Sequence, residues 1–394
     1  MVDIPFIPFH RPSVGPEEMQ AVQHVLESRW LTTGPVTKQF EQLFATFVGS
    51  KYALAVNSAT AALQLSMDCI GVEPGDEVLV PTYTFTATAA VVIHAGARPV
   101  LCDSLKEGFN MCPDDVERRI NSRTKAIIPV HIAGQPCDLD AIRTLATKHD
   151  LHVIEDAAHA LPATYKGRRV GAISELTAFS FYATKTISTG EGGMLTTNNE
   201  KYAERASKMR VFGINGDVWK RYAKEGSWFY EVQQAGYKMN LCDVLAAIGC
   251  AQLAKCEYFW KRRQEIAKFY SEKFLPFQEL QIPPPAHRDA EHSWHLYILR
   301  IKPELLANNR NDFIEELKRR GVGTSVHFIP LHLHPFYAQQ YGYKCGDFPN
   351  AEDGYSRCIS LPIFPDMTEQ DVEHVVSSVK DIVEQKRIRV VAVA

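Results

Sequence analysis

Short apolar runs alternate with helix-like segments between residue 50 and about residue 210. Runs with the length and composition of buried strands lie at 52–56, 77–81, 99–103, 126–131, 151–155, 178–181 and 194–197. Helix-like segments follow several of them, at 59–70, 86–95, 113–120 and 139–148. This alternation predicts an α/β fold with a mostly parallel sheet and helices on both of its faces.

The pattern changes after residue 210. Residues 211–234 are rich in aromatic residues, glycine and charge, and we interpret them as a long irregular excursion. Beyond them we predict helices at 242–254, 261–273, 311–320 and 368–384, and strands at 294–301 and 324–328. The sequence therefore predicts a large domain over residues 1–260 and a smaller C-terminal α+β domain over residues 261–394.

Composition excludes several classes of protein. The chain has 394 residues with 43 basic and 46 acidic side chains, so it lacks the basic excess of a nucleic-acid-binding protein. No apolar run approaches the roughly 20 residues of a membrane span, and the N-terminus lacks a basic and then apolar signal. The nine cysteines include no CxxC pair, which predicts reduced thiols in a cytoplasmic protein.

Ligands on a parallel sheet bind at the carboxyl ends of its strands, so polar residues that follow strands are candidates for chemistry. The first group is NSATAA at 57–62, between a strand and a helix. Backbone N–H groups at a helix start can bind phosphate, and Ser58 and Thr60 add hydroxyl donors. An ordinary helix cap explains Ser58 equally well.

Two further groups follow the next apolar runs. Glu155, Asp156 and His159 indicate an acid–base pair, although a solvated loop also explains them. Lys185 precedes TGEGG at 189–193, where three glycines let the backbone pack closely around a ligand. A lysine after a strand is usually a surface residue, but one enclosed in such a site would be desolvated. Its pKa would fall and its amine would become nucleophilic.

A fourth group, PTYTF at 81–85, places two aromatic rings at the same edge of the sheet. Together the four groups meet the needs of pyridoxal phosphate, which requires a Schiff-base lysine, a carboxylate at its ring nitrogen, a phosphate cup and a flat group against its ring. Lys185 and Asp156 would supply the first two. The remaining contacts would come from Ser58, Thr60, Ala61 and Ser180 around the phosphate, and from Phe85 and His159 on the two ring faces. No GxGxxG follows the first strand and no P-loop motif occurs, which argues against other nucleotide folds.

These motifs resemble the sugar aminotransferases of the DegT/DnrJ/EryC1/StrS family, within the fold-type I pyridoxal-phosphate enzymes. The resemblance covers nearly the whole chain, and IEDAAH (154–159) combined with FSFYATK (179–185) and GEGG (190–193) is specific to it. Further matching segments are WLTTGP (30–35), NSATAA (57–62), PTYTF (81–85), AIIPVHIAGQPCDLD (126–140), YKGRRVG (165–171), GYKMN (236–240) and residues 323–334. The resemblance implies a seven-stranded, mainly parallel sheet and a small C-terminal domain.

The resemblance also implies roles for individual residues. Lys185 would be the Schiff-base lysine and proton shuttle, and Asp156 would pair with the ring nitrogen. The other matching positions are the ring-covering Phe85, the phosphate-binding Thr60, Ala61 and Ser180, and the substrate-binding Thr33 and His327.

One motif departs from the family. Its GYNxR segment reaches the cofactor phosphate across a subunit boundary, whereas here Lys238 replaces Asn and Asn240 replaces Arg. A lysine still suits a phosphate as a point charge. The implied assembly is a homodimer with shared active sites.

The implied reaction transfers an amino group from L-glutamate to the keto carbon of a nucleotide-linked sugar, for bacterial surface polysaccharide or glycan biosynthesis. Some members of the family that aminate C4 of UDP-linked sugars are similar to this chain at GYKMN, and this resemblance favours a UDP-linked 4-keto-6-deoxy sugar or 4-keto hexose or pentose. Some relatives carry His at the position of Lys185 and catalyse dehydration, so Lys185 favours transamination. Open alternatives are a 3-keto nucleotide sugar, a cyclitol or other small-molecule acceptor, and a non-catalytic regulator with the same fold.

The histidines at 327, 332 and 334 invite a different interpretation, as a metal site. Prolines at 330 and 335 interrupt this segment, and no carboxylate or cysteine lies at ligand spacing. We therefore predict no metal site.

Overall fold

The computed structural model describes residues 6–214, 229–286 and 289–388. Its helices are α1 (Pro16–Ser28), α2 (Pro35–Val48), α3 (Ala59–Cys69), α4 (Ala87–His94), α5 (Pro113–Arg119), α6 (Leu139–His149), α7 (Glu200–Met209), α8 (Asp243–Ala254), α9 (Cys256–Phe274), α10 (Arg310–Arg319), α11 (Pro335–Tyr341), α12 (Pro349–Arg357) and α13 (Glu369–Lys386). The excursion predicted at 211–234 falls largely on residues 215–228, which lie outside the described residues.

The strands are β1 (Tyr52–Val56), β2 (Glu77–Pro81), β3 (Arg98–Cys102), β4 (Thr124–Ile127), β5 (His152–Asp156), β6 (Thr164–Tyr165), β7 (Arg168–Arg169), β8 (Leu176–Ser180), β9 (Gly193–Thr197), β10 (Leu280–Gln281), β11 (Ala290–Glu291), β12 (Tyr297–Ile301) and β13 (Cys358–Leu361). Seven of them form the main sheet, in the order β1-β9-β8-β5-β4-β2-β3. The neighbours from β8 to β3 run parallel, whereas β9 pairs antiparallel with both β1 and β8.

Alternate residues of a central strand enter two different cores. Val78 and Val80 of β2 pack in one apolar cluster, and Leu79 packs in another on the opposite face. Apolar side chains on both faces are characteristic of a parallel sheet that helices cover on both sides. The predicted α/β fold with a mostly parallel seven-stranded sheet is confirmed.

Helix α2 supports the strand that leads to Lys185. Its residues Phe40, Phe44 and Val48 recur every four positions and are buried on one face of the helix. The ring centroid of Phe44 lies 5.1 Å from that of Phe179 and 5.5 Å from that of Phe181. This packing fixes the end of β8 against the helix layer.

The C-terminal part of the chain has its own three-stranded sheet, in the order β10-β12-β13, and its own apolar core. The N-terminal arm joins this core, because Ile7 is buried in it and forms a parallel bridge with Val322. The division into domains at 260/261 stays a prediction, and that position lies within the continuous helix α9.

The strand expected at 324–328 is wrong. Only Ser325 pairs with the sheet, through an isolated antiparallel bridge to Ser360 of β13. Two residues further on, the His327 carbonyl accepts a hydrogen bond from the buried Tyr83 hydroxyl instead of from a neighbouring strand. The segment therefore leaves the small sheet and runs towards the end of β2.

Across the described ranges, no helix combines the length and the apolar character that crossing a bilayer requires.

Candidate active site

Lys185 and Asp156 follow two adjacent parallel strands at the same edge of the main sheet. Asp156 is the last residue of β5, and the chain reaches Lys185 shortly after the end of β8. Burial lowers the pKa of the Lys185 amine to about 8, and the charge of the Asp156 carboxylate limits this decrease. The structure thus brings together Lys185, which the sequence predicts as the Schiff-base lysine, and Asp156, which it predicts at the ring nitrogen.

Asp156 is a buried carboxylate with two hydrogen-bond donors. Thr88 Oγ1 donates to Asp156 Oδ2 over 2.9 Å, and the backbone N–H of Ala158 donates to Oδ1 over 3.1 Å. Burial raises the pKa of the Asp156 carboxyl, while the two donors and the charge of Lys185 act in the opposite direction. Each carboxylate oxygen has more than one acceptor site, so Asp156 can still accept a further N–H.

Glu155 does not form an acid–base pair with Asp156. Successive residues of a strand point to opposite faces of the sheet. The Glu155 carboxylate is buried against the other face, where Oε2 lies 2.8 Å from His131 Nε2 and Oε1 accepts from the Ser174 N–H over 2.9 Å. The interpretation of this segment as a solvated loop is also wrong, because Glu155, Asp156 and His159 are all buried.

His159 lies beside Lys185 as an uncharged ring. Its ring is stacked on that of Phe328, with centroids 5.7 Å apart and an interplanar angle of 17°. Burial holds the pKa of His159 well below its usual value, and the nearby charges of Lys185 and His327 lower it further. Its Nδ1 atom has no hydrogen-bond partner among the described residues. A neutral, flat imidazole in this place can contact a cofactor ring without adding charge.

The expected phosphate cup lies where α3 begins. Ser58 is the N-cap of α3, and its hydroxyl accepts the Ala61 N–H over 3.1 Å, so the helix-cap interpretation of Ser58 holds in this structure. Gly193 of β9 pairs with Ser180 and passes so close to the Ser58 backbone that a Cβ atom on it would overlap. The glycine therefore allows Ser58 and Ser180 to approach each other, while Thr60 is exposed at the first turn of the helix.

The two aromatic residues of the loop after β2 differ in environment. Tyr83 is fully buried, with its ring centroid 4.6 Å from that of Phe109. Phe85 is 61% exposed, and its ring centroid lies 6.1 Å from that of Phe328. Tyr83 is thus a core residue, whereas Phe85 is left with a ring face that a cofactor can cover.

Three other residues that we expect to contact the cofactor or the substrate, Thr33, Lys238 and Asn240, lie together beside the edge strand β1. Lys238 Nζ donates to Asn240 Oδ1, and Asn240 Nδ2 donates to Thr33 Oγ1 over 2.6 Å. All three line a cleft of about 850 Å³ beside the edge strand β1. Within the described part of the chain, no hydrogen bond of these side chains reaches Lys185 or Asp156. The backbone of residues 238–240 pairs with the end of β1, beside the helix start at Ser58. The Asn57 N–H donates to the Met239 carbonyl over 2.8 Å, and Asn240 forms a bridge with Val56.

His327 and the N-terminal arm form another wall of the site. His327 Nδ1 lies 2.9 Å from Ser360 Oγ, and burial followed by the charge of Lys185 lowers its pKa to about 4. The ring of Phe9 stacks on His327 with centroids 5.3 Å apart. His10 follows Phe9 in the arm, and burial and then the charge of Arg263 lower the pKa of His10 to about 3. Phe9 and His10 were not predicted from the sequence, because the arm has no periodicity that would reveal where it packs.

Two of the three histidines considered for a metal, His327 and His332, have separate partners. His332 Nδ1 lies 2.7 Å from Thr82 Oγ1, and its Nε2 lies 2.9 Å from Glu352 Oε1, whereas His327 bonds to Ser360. Among the described residues, no group of three or more histidine, cysteine or acidic side chains is arranged to hold a metal ion.

Comparison with known proteins gives a consistent match. Residues 12–380 match the DegT/DnrJ/EryC1/StrS aminotransferase family. The chain is 52% identical to the uncharacterized protein MJ1066 of Methanocaldococcus jannaschii, over 98% of this chain and 100% of that protein. It is 48% identical to the spore coat polysaccharide biosynthesis protein SpsC of Bacillus subtilis, over 96% of this chain and 97% of that protein.

A solved structure matches the fold over nearly its full length. It is the putative sugar aminotransferase Spr1654 from Streptococcus pneumoniae in its PMP form, with a TM-score of 0.91 and 32% identity. The match covers 96% of this chain and 99% of that one. The PLP form of the same protein matches with a TM-score of 0.90.

The side chains at the site fit the pyridoxal phosphate that the sequence predicts. A buried amine of lowered pKa, a buried carboxylate with spare acceptor capacity and a helix start lined by hydroxyls lie around one sheet edge. The unpartnered Nδ1 of His159 and the exposed ring of Phe85 leave surfaces that a flat heterocycle can cover.

The reactivity of Lys185 should depend on pH with a midpoint near its pKa of about 8. Only the neutral amine attacks an aldehyde, so the rate at which the apoprotein captures pyridoxal phosphate should rise about tenfold per pH unit below pH 8 and level off above it. The measurement is stopped-flow absorbance, with Lys185→Ala as the blank.

Asp156→Asn provides the matched comparison. The Asp156 charge favours the protonated amine, so its removal should move the midpoint to lower pH. A wild-type rate that continues to rise beyond pH 9.5, as for an ordinary surface lysine, would contradict the assignment.

Proposed function

The chain belongs to the DegT/DnrJ/EryC1/StrS aminotransferase family, and we propose that it moves an amino group from L-glutamate to the keto carbon of a nucleotide-linked sugar. Pyridoxal phosphate is its cofactor. The observation that carries the proposal is the Lys185 amine, which burial leaves with a pKa of about 8 next to the buried Asp156. An ordinary surface lysine is almost fully protonated near pH 7 and is a poor nucleophile.

When bound, pyridoxal phosphate supplies an aldehyde that condenses with amines and a ring that accepts electrons from a carbon being deprotonated. In our proposal Asp156 keeps a proton on the ring nitrogen, because a buried carboxylate stabilises a cation beside it. Lys185 holds the cofactor and, once its amine is free, carries a proton to and from the reacting carbon. The same amine serves both half-reactions, first with the amino donor and then with the keto acceptor.

The neighbouring residues would position the cofactor without adding charge to its ring. Phe85 would cover one ring face, and the neutral His159 would lie near the other. Ser58, Thr60, Ala61 and Ser180 would hold the phosphate at the start of α3, whose N-terminal end favours an anion. Because the Ser58 hydroxyl accepts the Ala61 N–H in this structure, that N–H would be released when the phosphate binds.

We propose a homodimer in which each active site uses residues of both chains. Lys238 and Asn240 make no hydrogen bond to Lys185 or Asp156 within one chain, yet they line an open cleft at the edge of the sheet. In the dimer, Lys238 of one chain would reach the phosphate held by the other chain. Thr33 and His327 would contact the substrate.

The acceptor we favour is a UDP-linked 4-keto-6-deoxy sugar or another 4-keto hexose or pentose. The departure at Lys238 and Asn240 favours the UDP-linked 4-keto branch. The similarity to SpsC, a spore coat polysaccharide biosynthesis protein, supports a sugar for a surface polymer. A 3-keto sugar or a cyclitol is the second candidate for the same site.

We place the reaction in the cytoplasm, since all nine cysteines are unpaired.

The substrate class is tested with a panel of UDP-, dTDP- and GDP-linked 4-keto and 3-keto sugars and a cyclitol ketone, each with L-glutamate. We expect 2-oxoglutarate release and an amino-sugar product from a 4-keto UDP-sugar, and no release with Lys185→Ala. The nucleotide-sugar proposal would be overturned if only the cyclitol ketone supports release of 2-oxoglutarate. It would also be overturned if none of the acceptors in the panel supports this release. Product mass identifies the amine.

The shared site is tested by mixing two inactive variants, Lys185→Ala and Lys238→Glu, under conditions that exchange subunits. Half of the dimers would be mixed, and each mixed dimer would carry one intact site, so activity should recover to about a quarter of the wild-type value. The matched control mixes Lys185→Ala with Asp156→Ala, where both defects fall on the same chain's part of the site and no recovery is expected. Equal activity in the two mixtures would contradict a shared site.

A further inference from the structure

Asp156 is held from one side by two threonine hydroxyls in series. Thr88 Oγ1 lies 2.9 Å from Asp156 Oδ2, and Thr84 Oγ1 lies 2.9 Å from Thr88 Oγ1. Both threonines are buried. Thr88 belongs to the first turn of α4, and Thr84 lies in the loop that connects β2 to this helix. The carboxylate is therefore connected through two hydroxyls to the loop that carries Phe85.

The direction of these hydrogen bonds follows from the charge of the carboxylate. An ionised carboxylate only accepts, so the single hydroxyl hydrogen of Thr88 must point to Asp156. Thr88 then has only acceptor capacity left for its second neighbour, and Thr84 must donate to it. Hydrogen bonds aligned in this way polarise each other, which strengthens the bond to the carboxylate.

We propose that Thr84 and Thr88 form a relay that keeps Asp156 ionised and fixes its orientation for the cofactor ring nitrogen, with Thr88 as a positioning residue. This inference rests on the role of Asp156 in the proposed function. Burial favours the neutral acid, and the groups that oppose it are the Ala158 N–H, the Thr88 hydroxyl and the charges of Lys185 and His131. Thr88 is the side-chain hydroxyl among these groups.

The relay also connects Asp156, which we expect at the ring nitrogen, to the backbone of Phe85, which we expect on a face of the same ring. Thr84 directly precedes Phe85, and the Thr88 N–H donates to the Phe85 carbonyl over 3.3 Å. The threonine between them has a different partner, since Thr86 Oγ1 lies 2.7 Å from the Tyr337 hydroxyl. Thr86 therefore provides a matched control on the same segment, with the same chemistry and no bond to Asp156.

The experiment compares cofactor binding and spectra of the holoenzyme in Thr88→Val, Thr88→Ser, Thr84→Val and Thr86→Val. Valine keeps the branched shape and removes the donor. For Thr88→Val we expect the dissociation constant of pyridoxal phosphate to increase about tenfold, as for the loss of a hydrogen bond to a charged group. Thr88→Ser should bind like the wild type, Thr84→Val should show a smaller effect, and Thr86→Val should show none.

The visible absorbance of the bound cofactor, titrated against pH, gives a second readout. A protonated ring nitrogen withdraws electrons from the linkage to Lys185 and makes that linkage easier to deprotonate. Weakening Asp156 should therefore move the titration midpoint of Thr88→Val to higher pH, and Thr88→Ser should return it to the wild-type value. A role in packing alone would not move this midpoint.

Wild-type affinity and midpoint in folded Thr88→Val would overturn the relay. Equal defects in Thr88→Val and Thr88→Ser would overturn it too, because the hydroxyl would then not matter. Should Thr88→Val fail to fold, Thr84→Val decides, and an unchanged midpoint there overturns the relay. Asp156→Ala distinguishes a failure of the relay from a failure of the proposed function. Normal cofactor binding in Asp156→Ala would contradict the proposed function itself. Weakened binding in Asp156→Ala together with normal binding in Thr88→Val would contradict the relay alone.

Discussion

The proposed chemistry depends on keeping one carboxylate charged where little water reaches it. A buried carboxylate normally takes up a proton, because desolvation penalises its charged form. Asp156 is surrounded instead by an N–H donor, a hydroxyl donor and the amine of Lys185. The same burial makes Lys185 less basic than an ordinary lysine. The reactive amine is thus a consequence of the enclosed environment, whereas the charge of the acceptor depends on the donors and the amine that oppose the effect of burial.

The main sheet explains how distant parts of the sequence meet in that environment. Asp156 ends β5 and Ser180 ends β8, and these two strands are parallel neighbours. The antiparallel strand β9 begins at Gly193 beside Ser180, and the absence of a side chain on Gly193 lets it pass against Ser58. Amine, carboxylate and helix start are therefore assembled by strand ends, and the aromatic packing of α2 behind β8 holds this edge in place.

Much of this arrangement was predictable from the sequence alone. Buried parallel strands appear in the sequence as short apolar runs. The polar residues at their carboxyl ends, Asp156 and Lys185, must therefore lie at one edge of the sheet. The separation of Glu155 from Asp156 also follows from strand geometry, because neighbouring residues of a strand point to opposite faces. The expected strand at 324–328 failed because its backbone bonds to Tyr83, a tertiary contact that no local pattern records.

Other parts of the site could not be predicted from local patterns. Phe9 and His10 reach the site because Ile7 pairs with Val322, far away in the sequence. Thr88 looks like any polar residue of a helix start until its distance to Asp156 is known. In our proposal Lys238 and Asn240 act at the cofactor of a second chain, and a single sequence carries no direct signal for that.

The most direct test of the account is the covalent bond it requires at position 185. Borohydride reduction of the holoenzyme, followed by peptide mass spectrometry, should remove the visible absorbance and leave the mass of the reduced cofactor on Lys185. A label on any other lysine, or no label on a protein that still transaminates, would contradict the account.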